Sequence, residues 1–208
     1  MEPFARGRDA DVYALSDGRV LRRYRDGGGV AAEAAVMAYV AGHGYPVPAV
    51  FEAAGPDLVM ERVAGPTLLS AALTGRVDTT SAARTLAELH DRLSAIPARE
   101  AGHAILHLDL HPDNVILSPG GPVVIDWRNA TEGPPALDAA MTAVILAQAI
   151  GEYPTLAAPL LREFLAAVAT DPLSQLDRAL ELRGADPNLT AHESEALGSA
   201  GDLVRGLR

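Results

Sequence analysis

Apolar positions along this 208-residue chain follow two rhythms, short strand-like runs at first and helical spacing later. Val12-Tyr13-Ala14-Leu15 is a β-prone run, Ser16-Asp17-Gly18 makes a tight turn, and residues 19–24 continue as a second strand. Asp26-Gly27-Gly28-Gly29 is a loop. Residues 30–41 are Ala-rich with apolar side chains at helical spacing, which predicts a helix. Gly42 to Gly44 closes it, and Pro46 and Pro48 keep it from resuming. Residues 50–53 and 58–63 predict a hairpin turning at Gly55-Pro56-Asp57, after which Ala64-Gly65-Pro66 breaks the pattern as a linker.

From Thr67 the spacing turns helical. Over residues 79–93, Leu86, Leu89, His90 and Leu93 share one face. Two short apolar runs, 115–117 and 122–125, flank Ser118-Pro119-Gly120-Gly121 and predict a second hairpin. Residues 136–150, 154–169, 172–183 and 190–206 predict further helices, punctuated by Pro154, Pro172 and Pro187. The fold class expected is α+β and bilobal, with a small strand-rich lobe at 1–64 and a larger helical lobe at 65–208.

Composition narrows the picture. Hydrophobic residues make up 49% of the chain and charged residues 21%, the balance of a folded domain rather than a disordered one. No apolar run is long enough to span a bilayer, and Met1-Glu2-Pro3-Phe4-Ala5-Arg6 lacks the apolar stretch of a secretory signal. Cysteine is absent, which removes disulfides and thiolate metal sites. A cytoplasmic location is expected. The formal net charge of −10 argues against nucleic-acid or membrane partners, which call for clustered cations, and suits a cationic small molecule. All 17 basic residues are arginine.

The chemistry concentrates in His107-Leu108-Asp109-Leu110-His111-Pro112-Asp113-Asn114 and in Val123-Val124-Ile125-Asp126-Trp127. Two carboxylates and a carboxamide flank a short apolar hairpin, whose open end can bring Asn114 and Asp126 together. Mg²⁺ prefers one or two such oxygen ligands plus phosphate oxygens and water. Asp109, near Asn114 in the turn, is a carboxylate free to accept a proton from an incoming hydroxyl. Read alone, His107, Asp109 and His111 alternate and would present three ligands to a hydrolase metal. That reading leaves Asn114 and the Ile-Asp-Trp block unused.

The two blocks together resemble the catalytic and metal-binding loops of the aminoglycoside phosphotransferase and choline kinase family, distant relatives of the protein kinases. The family pattern is His-x-Asp-Leu-His-x-x-Asn followed by Ile-Asp-Trp or Ile-Asp-Phe. The resemblance implies a protein-kinase-like fold, ATP and Mg²⁺ as cofactors, and transfer of the γ-phosphoryl group to a hydroxyl of a small molecule. The acceptor class would be aminoglycoside-like, an amino alcohol or a sugar, in a monomer or homodimer. Asp109 would be the catalytic base, and Asn114 and Asp126 the magnesium ligands. His107 and His111 would anchor the loop, and Asp138, in Gly133-Pro134-Pro135-Ala136-Leu137-Asp138, would stabilise it. Gly7 stands in the phosphate-covering turn, Arg22 where the nucleotide lysine belongs, and Glu33 where its acidic partner belongs. Met60, Glu61 and Val63 stand in the hinge, with the backbone of Glu61 and Val63 facing adenine.

The sequence departs from that pattern in three places. Arg22 replaces a lysine, and its larger fork grips phosphate with a different geometry. The covering turn has Gly7 as its only glycine and carries Asp9 and Asp11, whose charge Arg6 and Arg8 are expected to offset. The stretch after Asp138 is short, so a reduced acceptor pocket is expected. These departures carry an alternative: a nucleotide-binding regulatory protein with weak or no transfer activity.

Overall fold

A computed structural model describes residues 2–7 and 9–207. The chain divides into two compact units, one of residues 1–66 with 116–130 and the other of residues 67–115 with 131–208.

The first unit is built on a five-stranded antiparallel sheet with the order β1-β2-β3-β5-β4. Its strands are β1 (Ala5–Arg6), β2 (Ala10–Ala14), β3 (Arg19–Tyr24), β4 (Val50–Ala54) and β5 (Asp57–Glu61). β1 escapes sequence reading because two residues show no period. In β3 the side chains of Val20, Arg22 and Tyr24 are buried while Arg19 and Arg23 are exposed, the two-residue alternation of a strand with one covered face. Arg22 therefore points inward, opposite Val12 on β2 and Leu58 on β5. Helix α1 (Ala31–Gly42) buries Glu33, Met37 and Val40, spaced i, i+4 and i+7 on one face. Periodicity thus delivers one inward cation and one inward anion.

The second predicted hairpin forms from β7 (Val115–Ser118) and β8 (Gly121–Val124), and its body belongs to this first unit. Leu117 N–H donates to Pro66 O at 2.9 Å and Val124 N–H donates to Pro46 O at 2.8 Å. Gly65 has φ +144°, and a Cβ there would sit 2.1 Å from Leu117 O, so the linker needs glycine at that position.

The second unit holds helices α2 (Leu68–Leu73), α3 (Thr79–Ser94), α4 (Pro135–Gln148), α5 (Pro154–Ala167), α6 (Leu176–Gly184) and α7 (Ala191–Gly206). Asp78 caps α3, accepting from Ser81 N–H at 2.9 Å, and Thr190 and Glu193 form a capping box on α7. α3 packs Leu86, Leu89 and Leu93 inward with His90, the face the spacing predicts. α4 is apolar nearly all round and is buried accordingly. The predicted helix 172–183 begins as a 3₁₀ turn at Pro172–Gln175, and that at 136–150 ends in one at Ala149–Gly151. A two-stranded ribbon of β6 (Ala104–Leu106) and β9 (Thr131–Gly133) frames the loop before α4. Its strands have three residues each, and β6 is buried on both faces, so neither shows alternation. No helix among the described residues is long and apolar enough to cross a membrane.

Candidate active site

The loop 107–114 starts at β6 and is held from beneath by α3 and α4. Asp138, in the first turn of α4 and 3% exposed, accepts from two successive backbone groups with one oxygen. Its Oδ1 takes the N–H of His107 at 3.0 Å and of Leu108 at 2.6 Å. Leu108 has φ +61°, a left-handed conformation that costs a non-glycine residue about 1–3 kcal/mol and persists only where surrounding bonds impose it. Asp138 Oδ2 lies 3.2 Å from Nδ1 of His90 on α3. The other nitrogen of His90 is 2.9 Å from Thr142 Oγ1, and the Thr142 hydroxyl donates to Leu110 O at 2.7 Å. Asp138 and Thr142 thus grip the backbone at 107, 108 and 110, and His90 bridges the two. Burial pushes the Asp138 carboxyl up, but His90, His107 and the Leu108 N–H outweigh it and hold it below the usual carboxylate range.

His107 is fully buried, and its Nδ1 accepts from Asp109 N–H at 3.2 Å, so it serves the loop rather than a metal. Among the described residues no group of three His, Cys, Asp or Glu side chains is arranged to hold a metal ion. The hydrolase reading of His107, Asp109 and His111 has no such cluster to stand on.

Asp109 and Asn114 are brought together across the short 3₁₀ turn Pro112–Asn114. Asn114, 8% exposed, donates from Nδ2 to Asp109 O at 2.9 Å and to Asp109 Oδ2 at 3.1 Å. Every described hydrogen bond of this side chain uses Nδ2, so Oδ1, the atom a hard cation takes, is uncommitted. His111 Nδ1 caps the turn on Asp113 N–H, and its Nε2 stands 3.7 Å from Asp109 Oδ2, too far for a hydrogen bond. Burial raises the Asp109 carboxyl, but His111, His107 and the Arg183 guanidinium outweigh it and keep it below the usual range. Asp109 is therefore ionised at neutral pH. Arg183, buried on α6, is held by Gln148 Oε1 at 3.0 Å and Glu193 Oε1 at 3.0 Å.

In the first unit, Arg22, Glu33 and Asp126 meet. Arg22 donates from one guanidinium nitrogen to Glu33 Oε1 at 3.1 Å and from the other to Asp126 Oδ1. Tyr24 donates its hydroxyl to Glu33 Oε2 at 2.7 Å, and its ring lies under the guanidinium carbons of Arg22 at 4.8 Å and Arg128 at 4.0 Å. Burial raises the Glu33 carboxyl, and neither Arg22 nor Tyr24 fully offsets it. Arg22 has its own pKa raised: burial works against its charge, but Asp126 and Glu33 prevail. Asp126, like Leu108, adopts a left-handed backbone, at φ +67°. Trp127 is fully buried, donating from Nε1 to Val124 O at 3.0 Å and standing edge-on to Tyr45.

The remaining predicted positions are mixed in character. Gly7 donates its N–H to Ala10 O at 2.9 Å in the β1–β2 turn. Arg25 pairs with Asp11 at 2.7 Å and donates to Gly7 O at 3.0 Å, so the charge of Asp11 is offset from β3's end. Arg8 lies outside the described residues. Met60 is buried in β5 opposite Val20 and Val50. The N–H of Glu61 is given to Ala49 O at 2.8 Å, and Val63 follows beyond the strand.

The model of the phosphotransferase enzyme family matches residues 1–104 and 92–182. The chain belongs to that family. The enzyme class that goes with membership is small-molecule kinase. No curated protein matches the chain. Among solved structures, aminoglycoside phosphotransferase APH(4)-Ia is 16% identical, with TM-score 0.58 over 98% of this chain and 92% of that one. The gentamicin complex of APH(2")-IIa is 12% identical, with TM-score 0.63 over 97% and 92%. Amicoumacin kinase hAmiN, in complex with AMP-PNP, Ca²⁺ and Ami, is 14% identical, with TM-score 0.56 over 99% and 87%. At such identities the likeness establishes the fold, the protein-kinase-like α+β architecture that the motifs imply.

Within this phosphotransferase-family chain, sequence reading missed Tyr24, Thr142 and Arg183. Tyr24 was signalled by its step of two from Arg22, which puts both on one strand face. Thr142 follows Asp138 by one helical turn on α4 and was legible in principle. Arg183 had no signal, because its partners Gln148 and Glu193 are far away in sequence. Three acids of the second unit are each committed to a partner. Asp91 accepts from Ala169 N–H, Glu132 pairs with Arg99, and Glu100 faces His103.

Proposed function

We propose that this chain transfers the γ-phosphoryl group of ATP to a hydroxyl of a small molecule, with an aminoglycoside-like compound, an amino alcohol or a sugar as the acceptor class. The observation that carries this reading is the Asp109–Asn114 pair. A carboxylate kept ionised despite burial is oriented by a carboxamide whose own oxygen remains uncommitted. In the reaction Asp109 accepts the proton of the acceptor hydroxyl, whose oxygen bonds to the γ-phosphorus as the bond to the ADP oxygen breaks. Arg22 donates to the phosphates and Glu33 holds Arg22 in place. The Glu61 carbonyl and the Val63 N–H would take the adenine edge, with Met60 beside them in the chain and Gly7 in the covering turn.

Asn114 Oδ1 and the carboxylate of Asp126 are the hard oxygen donors that would hold Mg²⁺, and the ion would supply charge neutralisation. The remaining work is positioning and electrostatics by the chain's own residues. Calorimetry tests the reading. Asp126→Ala is expected to abolish magnesium-dependent ATP binding, and normal Mg-ATP affinity in that variant would contradict the metal role. An ATP-consumption screen over aminoglycosides, amino alcohols and sugars then identifies the acceptor.

One observation favours a second reading. Arg22 sits on Asp126 itself, the carboxylate assigned to the metal. A nucleotide-binding regulatory protein would keep that pair permanently. Stabilisation by ATP without turnover on any acceptor would select it.

A further inference from the structure

We propose that Arg22 closes the metal carboxylate of the nucleotide-free protein, so that a divalent cation reaches Asp126 only together with the phosphates of a nucleotide. The inference rests on the metal role proposed above for Asp126. It concerns the order in which ligands arrive and the coupling between them, which the assigned roles leave open.

Glu33 Oε2 accepts the Tyr24 hydroxyl at 2.7 Å, and Arg22 meets Glu33 through one nitrogen on Oε1 rather than in a two-pronged pair. One guanidinium nitrogen takes Oε1 at 3.1 Å. The planar fork then delivers the second nitrogen in a fixed direction, and the acceptor waiting there is Asp126 Oδ1. Arg22 has little freedom to turn away. Its side chain is 11% exposed, it projects from the covered face of the sheet, and its guanidinium stacks on Tyr24 at 4.8 Å. A lysine ammonium at this position would be a point charge with no rigid second arm.

Asp126 in this state offers a cation a carboxylate already neutralised by its neighbour. Placing a doubly charged ion beside the guanidinium adds repulsion without a compensating anion. A phosphate removes both obstacles, since it accepts the second guanidinium nitrogen and leaves the first on Glu33. Asp126 is then released to the cation. Its side chain is 38% exposed, so the approach does not require unfolding of the loop. Metal and nucleotide binding are therefore positively coupled, and by linkage each tightens the other by the same factor.

Mn²⁺ serves as the probe, with free ion counted by electron paramagnetic resonance on the full chain, with and without AMP-PNP. Wild type is expected to take up Mn²⁺ only when AMP-PNP is present. Arg22→Gln is expected to bind Mn²⁺ alone at least about tenfold more tightly than wild type, the scale of removing one close opposite charge from a carboxylate. Adding Asp126→Asn should erase that gain. Arg22→Lys, which keeps the charge without the fork, should show a smaller gain and covers the case in which Arg22→Gln does not fold. Wild type binding Mn²⁺ alone as tightly as with AMP-PNP overturns the inference without any variant. Undiminished AMP-PNP-linked Mn²⁺ uptake in Asp126→Asn instead overturns the metal role of Asp126.

Discussion

Asp138 and Glu33 are both acids buried on helices, yet their surroundings push them in opposite directions. Asp138 receives two backbone N–H groups on one oxygen and His90 beside the other, and its carboxyl is held below the usual range. Glu33 receives the ends of two side chains, Arg22 and Tyr24, and the Trp127 backbone, and burial still wins, leaving its carboxyl raised. His90, held on its other side by Thr142, does most of the lowering at Asp138, and the Leu108 N–H adds to it. Side-chain donors such as a guanidinium fork are longer and can change partners. The second unit thus carries the loop of the proposed base fastened through its main chain, and the first carries a set of ion pairs that the proposed phosphate would rearrange.

Asp109→Asn probes the loop most directly. Turnover is expected to fall by about 10²–10⁴-fold, the range for loss of a general base, while nucleotide affinity by calorimetry stays near that of wild type. Unchanged turnover would remove Asp109 from the mechanism. Asp138→Ala should cost about 3–5 kcal/mol in urea unfolding, because it strands two backbone donors and a histidine in the interior. The pH dependence follows from the direction of the Asp138 shift. A carboxyl lowered in the folded state contributes stability that is present above its unfolded value near about 4 and is lost as pH falls through the folded value. Wild type should therefore lose stability below about pH 4 more steeply than Asp138→Asn.

Tyr24→Phe bears on the side-chain cluster. It leaves Glu33 Oε2 without its donor and is expected to cost about 1–3 kcal/mol, read by the same unfolding curves. An equal or larger loss than for Asp138→Ala would reverse the contrast between the two clusters. Arg128→Ala should have the smallest effect. The Arg128–Asp26 pair at 2.5 Å is 32% and 55% exposed, and such pairs contribute about 0–1 kcal/mol. A loss above that range would mean that the Tyr24 stack, not the ion pair, is what Arg128 supplies.

Much of the fold was legible before any coordinates. Helix α1, the β4–β5 hairpin, α3 and the β7–β8 hairpin stand where spacing and turn residues predict them. The pieces that were not legible are short or doubly buried: β1, β6, β9 and the 3₁₀ turns, none of which holds enough residues to display a period. At the site, the motif blocks singled out Asp109, Asn114 and Asp126, and the order of elements singled out Arg22 and Glu33. Tyr24, Thr142 and Arg183 were missed, because their partners are chosen by packing. The spacing of His90 placed it on a buried face, but nothing in it named Asp138 and Thr142 as the two groups it bridges.

The amino-acid order alone determined the α+β class, the succession of strands and helices, and the family, because these depend on local periodicity, turn chemistry and motif spacing. Tertiary structure decided which charges neutralise which. Arg22 could have met Glu33 with both arms, and it gives one to Asp126 while a tyrosine two residues along the same strand donates to the other oxygen of Glu33. Such choices belong to side chains from separate elements competing for a limited number of lone pairs, and that competition exists only after the chain has closed around them.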